Sequence, residues 1–384
     1  MKSSHYILLG IISIFYISCK KDHSTPVKFE KHFGGTGNDK AHDALILHDA
    51  LYLFGSTKSF DDANGDFYLL KLDMQGKLIF EKTYGGIAEE EGIDIIATND
   101  GNLLLLGSTE SKGNGMKDFY AIKINEQGDI LWDTTIGGGL NDKPADAIET
   151  YDGKFCLAGY TESAGAGSLD VYLVWLDQSG NVIREKTHGG EDIDGSSELI
   201  QLEDNNLMLF GFTKNFWATS RDFMLQKMDS EGELLWRKRY GGEAYEESQG
   251  FVHTKEGDFI LNGHSSSSDP NHDLFVVKVD ANGDEIWNKH YGGSMHDGGQ
   301  AILINSEGNY VCVARSMSFG SGDRNIYMLT SDPDGNTISE DIIGGAKNDW
   351  GNKILEYDSY YYIAGHSNSF GREDDDAYLV RIRK

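Results

Sequence analysis

The chain has 384 residues, 34 of them basic and 62 acidic, for a formal net charge of −28. So negative a molecule repels phosphate backbones, which excludes nucleic acid as a charge-driven partner. Gly is abundant (47) and Pro scarce (4) beside 39% hydrophobic residues, a composition of short strands and Gly-rich turns rather than of disorder.

The first element is an export segment. Lys2 supplies a positive charge, and Tyr6 to Ile17 is an apolar stretch too short for an ordinary membrane span. It ends in Tyr16-Ile17-Ser18-Cys19, which resembles the lipobox of bacterial lipoproteins, with Tyr16 where Leu is usual. The resemblance implies a signal peptide over residues 1–18, acylation of Cys19, and a lipidated tether over residues 19–27. A plain signal peptide with an incidental cysteine is the other reading. Lys20 follows the cysteine where an Asp would resemble an inner-membrane retention signal. The expected address is therefore the outer membrane of a Gram-negative bacterium, on its periplasmic or its outer side.

From residue 28 to the end one phrase recurs. Gly-Gly pairs begin at Gly34, Gly85, Gly137, Gly189, Gly241, Gly292 and Gly344, at spacings of 51, 52, 52, 52, 51 and 52 residues. So regular a period means one supersecondary unit copied around an array. In the first unit, Ala41–Leu47 reads as strand A, Leu51–Gly55 as strand B, Asp66–Leu72 as strand C and Lys77–Tyr84 as strand D. The Asp73-Met74-Gln75-Gly76 turn separates the last two. Four short strands in about fifty residues make a propeller blade. The chain ends on a strand-C pattern, Ala377–Ile382, whereas residues 27–33 match strand D. The expected fold is all-β: a seven-bladed propeller of four-stranded antiparallel blades over residues 28–384. The N-terminal strand completes the last blade and leaves no open edge. Cys156 and Cys312 sit in matching strands three blades apart, which forbids a disulfide and leaves inert buried thiols.

Two resemblances follow from the repeat. Its pattern of Gly-Gly, acid, apolar strand, Gly-x-Thr-x-Ser, Asp-x-Tyr-Leu-x-Lys-Leu-Asp-x-x-Gly and Trp resembles the bacterial SBBP-type β-propeller repeats over nearly the whole mature chain. That resemblance implies architecture and no single activity. Asp280-Ala281-Asn282-Gly283-Asp284-Glu285-Ile286-Trp287 more weakly resembles the tryptophan-docking motif of pyrroloquinoline-quinone propellers. Only Trp132, Trp236 and Trp287 fill the tryptophan position, and there are seven repeats rather than eight. No quinone cofactor is expected.

Each repeat also carries an acid four residues after its second glycine: Asp39, Glu90, Asp142, Asp194, Glu246, Asp297 and Asp349. Two readings stand. The seven carboxylates ring one mouth of the channel and draw a hard cation such as Ca²⁺, or each accepts backbone N–H groups within its own Gly-rich loop. A second constant acid precedes strand C, as at Asp66 and Asp118. It pairs on this reading with the Thr or Ser just past strand B, as at Thr57 and Thr109, closing the loop between them. His264 and His366 are too scattered to mark a metal site. The segments Asp280–Asp284 and Asp332–Asn336 read as hairpin turns rather than Ca²⁺ loops, because no distal Glu follows.

Specificity belongs where the repeats differ, in the loops between strands D and A and between B and C. Trp217 and Trp350 do not recur, fall in loops on this reading, and are candidates for stacking on a sugar or anchoring a protein, with Phe216 beside them. Phe60, Phe319 and Phe370 share the Phe216 position, which also fits a packing role. No nucleophile elbow, His-Glu-x-x-His or phosphate loop is present. The expected function is a monomeric, non-catalytic, lipid-anchored module that binds a glycan or an envelope protein through its loop face. A scaffold of an outer-membrane complex and a polysaccharide-active enzyme are the alternatives.

Overall fold

The computed structural model describes residues 27–60, 64–216, 218, 220–267, 271–370 and 373–384. The export segment with Cys19, and Trp217, lie outside the described residues. The described residues form 28 strands in seven four-stranded antiparallel sheets. Blade 1 is β2 (Asp39–Leu47), β3 (Ala50–Thr57), β4 (Asp66–Asp73) and β5 (Leu78–Tyr84), hydrogen-bonded in that order. Blades 2 to 6 repeat it. Blade 7 is built from both ends of the chain: β26 (Asp349–Tyr357), β27 (Tyr360–Ser367), β28 (Asp376–Arg383) and then β1 (Val27–Phe33). β1 pairs antiparallel with β28, with His32 opposite Tyr378 and Phe33 opposite Ala377. The expected closure is present.

Burial follows strand position. The second and third strands of each blade are sandwiched between neighbouring blades, so they read as continuous apolar runs. Leu103–Thr109 is buried at every residue. The outer strand alternates instead: Leu78 and Ile79 are exposed while Tyr84 is buried. Each of seven hydrophobic clusters draws on two adjacent blades. One joins Tyr52, Phe54 and Phe67 of blade 1 to Leu103, Tyr120 and Ile122 of blade 2. Another joins Ala41, Leu51 and Leu53 to Tyr362, Ala364 and Leu379, with Phe29 and Phe33 packed against it, and so closes the ring. No blade has a private core; each interface is one.

Polar and aromatic contacts repeat at these interfaces. The phenol of Tyr84 donates to the Gly128 carbonyl of the next blade at 2.8 Å, as does Tyr240 to Gly283 at 2.7 Å and Tyr291 to Gly335 at 2.6 Å. The Trp132 indole donates to the Gln178 carbonyl at 3.0 Å, its ring lying where a Cβ on Gly180 would stand. The tryptophans of the outer strands thus dock on the next blade. Cys156 and Cys312 are buried and unbridged; burial pushes the Cys312 thiol up to about 12.

All seven inner strands carry a β-bulge at the same place. In blade 1 the register slips between Ala41 and Asp43, and in blade 7 between Gly351 and Lys353. The slip brings the inner strand close to the second one: a Cβ on Gly55 would stand 2.1 Å from the Lys40 carbonyl oxygen. Glycine there is a requirement of approach rather than of backbone dihedral.

Candidate functional site: the loop-side mouth of the channel

The bulge decides what lines the channel. Two consecutive residues of each inner strand, rather than alternate ones, reach the axis: His42 with Asp43, Ile93 with Asp94, Ser197 with Glu198, Asn352 with Lys353. They enclose a polar cavity of about 210 Å³.

The seven acids of the repeat do not line this cavity. All seven are buried, and each folds back onto its own loop. The second glycine's N–H donates to Asp39 at 2.8 Å, to Glu90 at 2.8 Å, to Asp142 at 2.6 Å, to Asp194 at 2.8 Å, to Glu246 at 3.4 Å, to Asp297 at 2.7 Å and to Asp349 at 2.7 Å. A side chain from the next loop donates as well: Ser163 to Asp142 at 2.9 Å, Asn215 to Asp194 at 2.7 Å, Ser318 to Asp297 at 2.6 Å. Of the two readings of these acids, the geometry supports the loop latch.

The hydroxyl past strand B also has a different partner from the expected one. Thr57 donates to Asp39, Thr109 to Glu90 at 2.6 Å and Ser265 to Glu246 at 2.7 Å. These are strand-A acids, not strand-C acids. Asp118, before strand C, instead accepts the N–H groups of Asn114 at 2.7 Å and Gly115 at 3.1 Å. Its other carboxylate oxygen occupies the space a Cβ on Gly137 would need, at 1.9 Å. The first glycine of the pair thus makes room for an acid.

The carboxylates that do line the axis are Asp43, Asp94, Asp146 and Glu198. Each accepts the N–H of a residue one blade on: Ile95 at 3.1 Å, Ala147 at 3.0 Å, Leu199 at 2.6 Å and Phe251 at 2.6 Å. Among the described residues the cation that faces them is Lys353, with Nζ 2.8 Å from Asp43. Enclosure followed by mutual repulsion holds Asp94 well above the usual carboxylate range. Enclosure and the Glu198 charge push Asp146 to about 8, and enclosure takes Glu198 to about 7. The group is a ladder of carboxylates, each tied to the backbone of the next blade. Its signal was in the sequence, because acids recur four residues after the latch acid in the first four repeats.

Above the ladder the mouth opens into a cavity of about 370 Å³, lined in part by Lys40, His42, Gln300, Trp350 and His366. Trp350 is not on a loop. It is the second residue of β26, directly opposite His366 of β27, and the two rings stack at 5.3 Å and 16°. Arg315 and Arg324 of blade 6 lie 5.2 and 5.0 Å from the Trp350 ring. Neither guanidinium makes an ion pair or a side-chain hydrogen bond with any described residue. In a chain of net charge −28 that is unusual. The same rim continues through His296, His264 and Tyr245 to Arg221, whose guanidinium covers Phe212 at 4.2 Å.

Phe216 is not part of this rim. It belongs to blade 4, is 37% exposed, and lies under the Arg237 guanidinium at 4.2 Å. Its counterparts Phe60, Phe319 and Phe370 pack on Tyr68, Tyr327 and Tyr378 of their own blades at 5.6, 5.3 and 5.7 Å. The hairpin face carries the expected turns: Asp280 accepts the N–H groups of Asn282 and Asp284, each at 2.8 Å, through one oxygen.

The chain matches no protein-family profile and no curated relative. Solved structures match it in fold. Drosophila Semaphorin 2a aligns over 94% of this chain and 76% of its own, with 8% identity and a TM-score of 0.58. The polysaccharide lyase Uly1 aligns over 89% and 90%, with 10% identity and a TM-score of 0.55. PorZ, a surface component of the type-IX secretion system of Porphyromonas gingivalis, aligns over 91% of this chain, which spans 47% of PorZ, with 12% identity and a TM-score of 0.53. At these identities the likeness shows the β-propeller fold alone, a fold that hosts many unrelated functions.

Proposed function

We propose that this propeller is a non-catalytic binding module of the cell envelope, of the SBBP-repeat type and lipid-anchored through Cys19. Its ligand on this reading is a glycan bearing carboxylate or sulfate groups, held at the loop-side mouth of the channel. The observation that carries the reading is Trp350, which lines the mouth cavity and has close to its ring two guanidinium groups that make no ion pair with any described residue. An indole offers a flat apolar face to a sugar ring, and guanidinium forks match carboxylate and sulfate oxygens in charge and geometry. Elsewhere the −28 chain repels anions, so an acidic ligand is confined to this rim. An array of acidic and neutral oligosaccharides tests the reading. Binding is expected to the acidic set and to be lost in Trp350→Ala; neutral-only binding, or none, rejects it.

A further inference from the structure

We propose that His264, His272 and His296 form a site for one transition-metal ion of the Zn²⁺ or Cu²⁺ class between blades 5 and 6. One ring nitrogen from each histidine lies within 4.8 Å of the other two. The residues come from three separate elements. His264 is the penultimate residue of β19 (Phe259–Ser265), His272 immediately precedes β20 (Asp273–Val279), and His296 immediately precedes β22 (Asp297–Ile304). The ring centroids are 5.5, 5.5 and 5.1 Å apart.

Hydrogen bonding argues that the rings are aimed at a ligand and not at one another. His264 is only 2% exposed, yet its Nδ1 has no partner, and neither has the buried Nδ1 of His272. An unpaired buried nitrogen is costly, and a metal ion would satisfy both. The other nitrogen of His264 faces the Glu247 carboxylate at 3.7 Å, and that carboxylate is fixed by the Tyr245 hydroxyl. Drawn in to hydrogen-bond length, this carboxylate behind the imidazole would orient a metal-binding histidine and select its tautomer. The absence of a side chain at Gly298 leaves room that Arg315 and two of the rings share: a Cβ there would lie 3.1 Å from Nε of Arg315, 3.3 Å from Cε1 of His296 and 3.5 Å from Nδ1 of His264.

The chemistry selects the metal. Three imidazoles suit Zn²⁺ or Cu²⁺, whereas Ca²⁺ and Mg²⁺ call for oxygen ligands that the cluster lacks. Metal–nitrogen bonds of about 2.0–2.1 Å require the rings to draw together on loading. His272 and His296, each on a loop just before a strand, are the ones placed to follow.

The test uses the untagged full chain, stripped with chelator and titrated with ZnCl₂ or CuCl₂ alone in a calorimeter. One equivalent should bind, with nitrogen hyperfine structure in the Cu²⁺ electron paramagnetic resonance spectrum. His264→Gln and His296→Gln should each weaken binding by at least about tenfold, and Glu247→Gln by about tenfold. His253→Gln, at the far end of the same blade, should change nothing. Should His264→Gln not fold, His272→Gln serves in its place. Absence of binding, or binding unchanged in these cluster variants, overturns the site. The titration contains no glycan, so its outcome is independent of the reading of the Trp350 mouth.

Discussion

At residue scale, the fold places Thr57 opposite two acids at once, Asp39 on one neighbouring strand and Asp66 on the other. Sequence spacing pointed to Asp66 across the intervening loop. The hydroxyl instead turns to Asp39, which already collects the Gly35 N–H and the Ser59 hydroxyl. A period identifies which positions matter, but it does not say which of two flanking strands a side chain faces. The latch carries its own prediction. Glu90→Ala strands the donors on Gly86 and Thr109 and should lower unfolding stability in urea by about 1.5–3 kcal/mol. Adding Ca²⁺ or a chelator should leave the wild-type midpoint in place; a rise with Ca²⁺ would restore the cation reading of the seven acids. Replacing Gly55 by Ala drives a methyl into the Lys40 carbonyl and should cost about 1–3 kcal/mol in the same assay.

At the scale of the element, strand number, order and turns were legible because each blade repeats its apolar runs and its hairpin glycines. The channel lining was not. Alternation assigns every second residue of the inner strand to the axis, and the bulge breaks alternation by exposing two in a row. Asp43, Asp94, Asp146 and Glu198 are therefore not singled out by alternation, whereas the latch acids stand out by their period. The histidine cluster was hidden for another reason: its members are spread over 33 residues and two blades, and only blade packing brings them together. The ladder predicts a pH dependence. Asp94, Asp146 and Glu198 are raised in the folded chain above the values of about 3.9 and 4.3 for unfolded Asp and Glu. Between the two sets the folded state holds more protons than the unfolded one, so stability falls as pH rises from about 4 towards 8. Asp43 and Lys353 are the other charged groups that line the same cavity. Asp146→Asn should flatten the slope measured by urea denaturation across this range; an unchanged slope contradicts a raised Asp146.

For the whole molecule, seven shared cores and one borrowed strand make stability a property of the closed ring. Closure was legible because residues 27–33 complete the pattern that the C-terminus leaves unfinished. Phe29 lies against Gly76 of blade 1 and under the Arg381 guanidinium at 4.6 Å. Phe29→Ala should cost about 1.5 kcal/mol, the low end for a buried Phe. Removing residues 27–33 should expose the β28 edge and yield concentration-dependent association in light scattering. The proposed ligand site lies where the ring is least symmetric, at the rim that gathers Trp350, Arg315, Arg324 and three histidines on an acidic body. The most direct measurement is a calorimetric titration of the wild type and of the Arg315→Ala/Arg324→Ala double variant with a uronate oligosaccharide. The wild type should bind with an affinity that falls as salt rises, and the double variant should lose that binding. Equal affinity in the two proteins, or no binding to either, would contradict an anion-binding mouth.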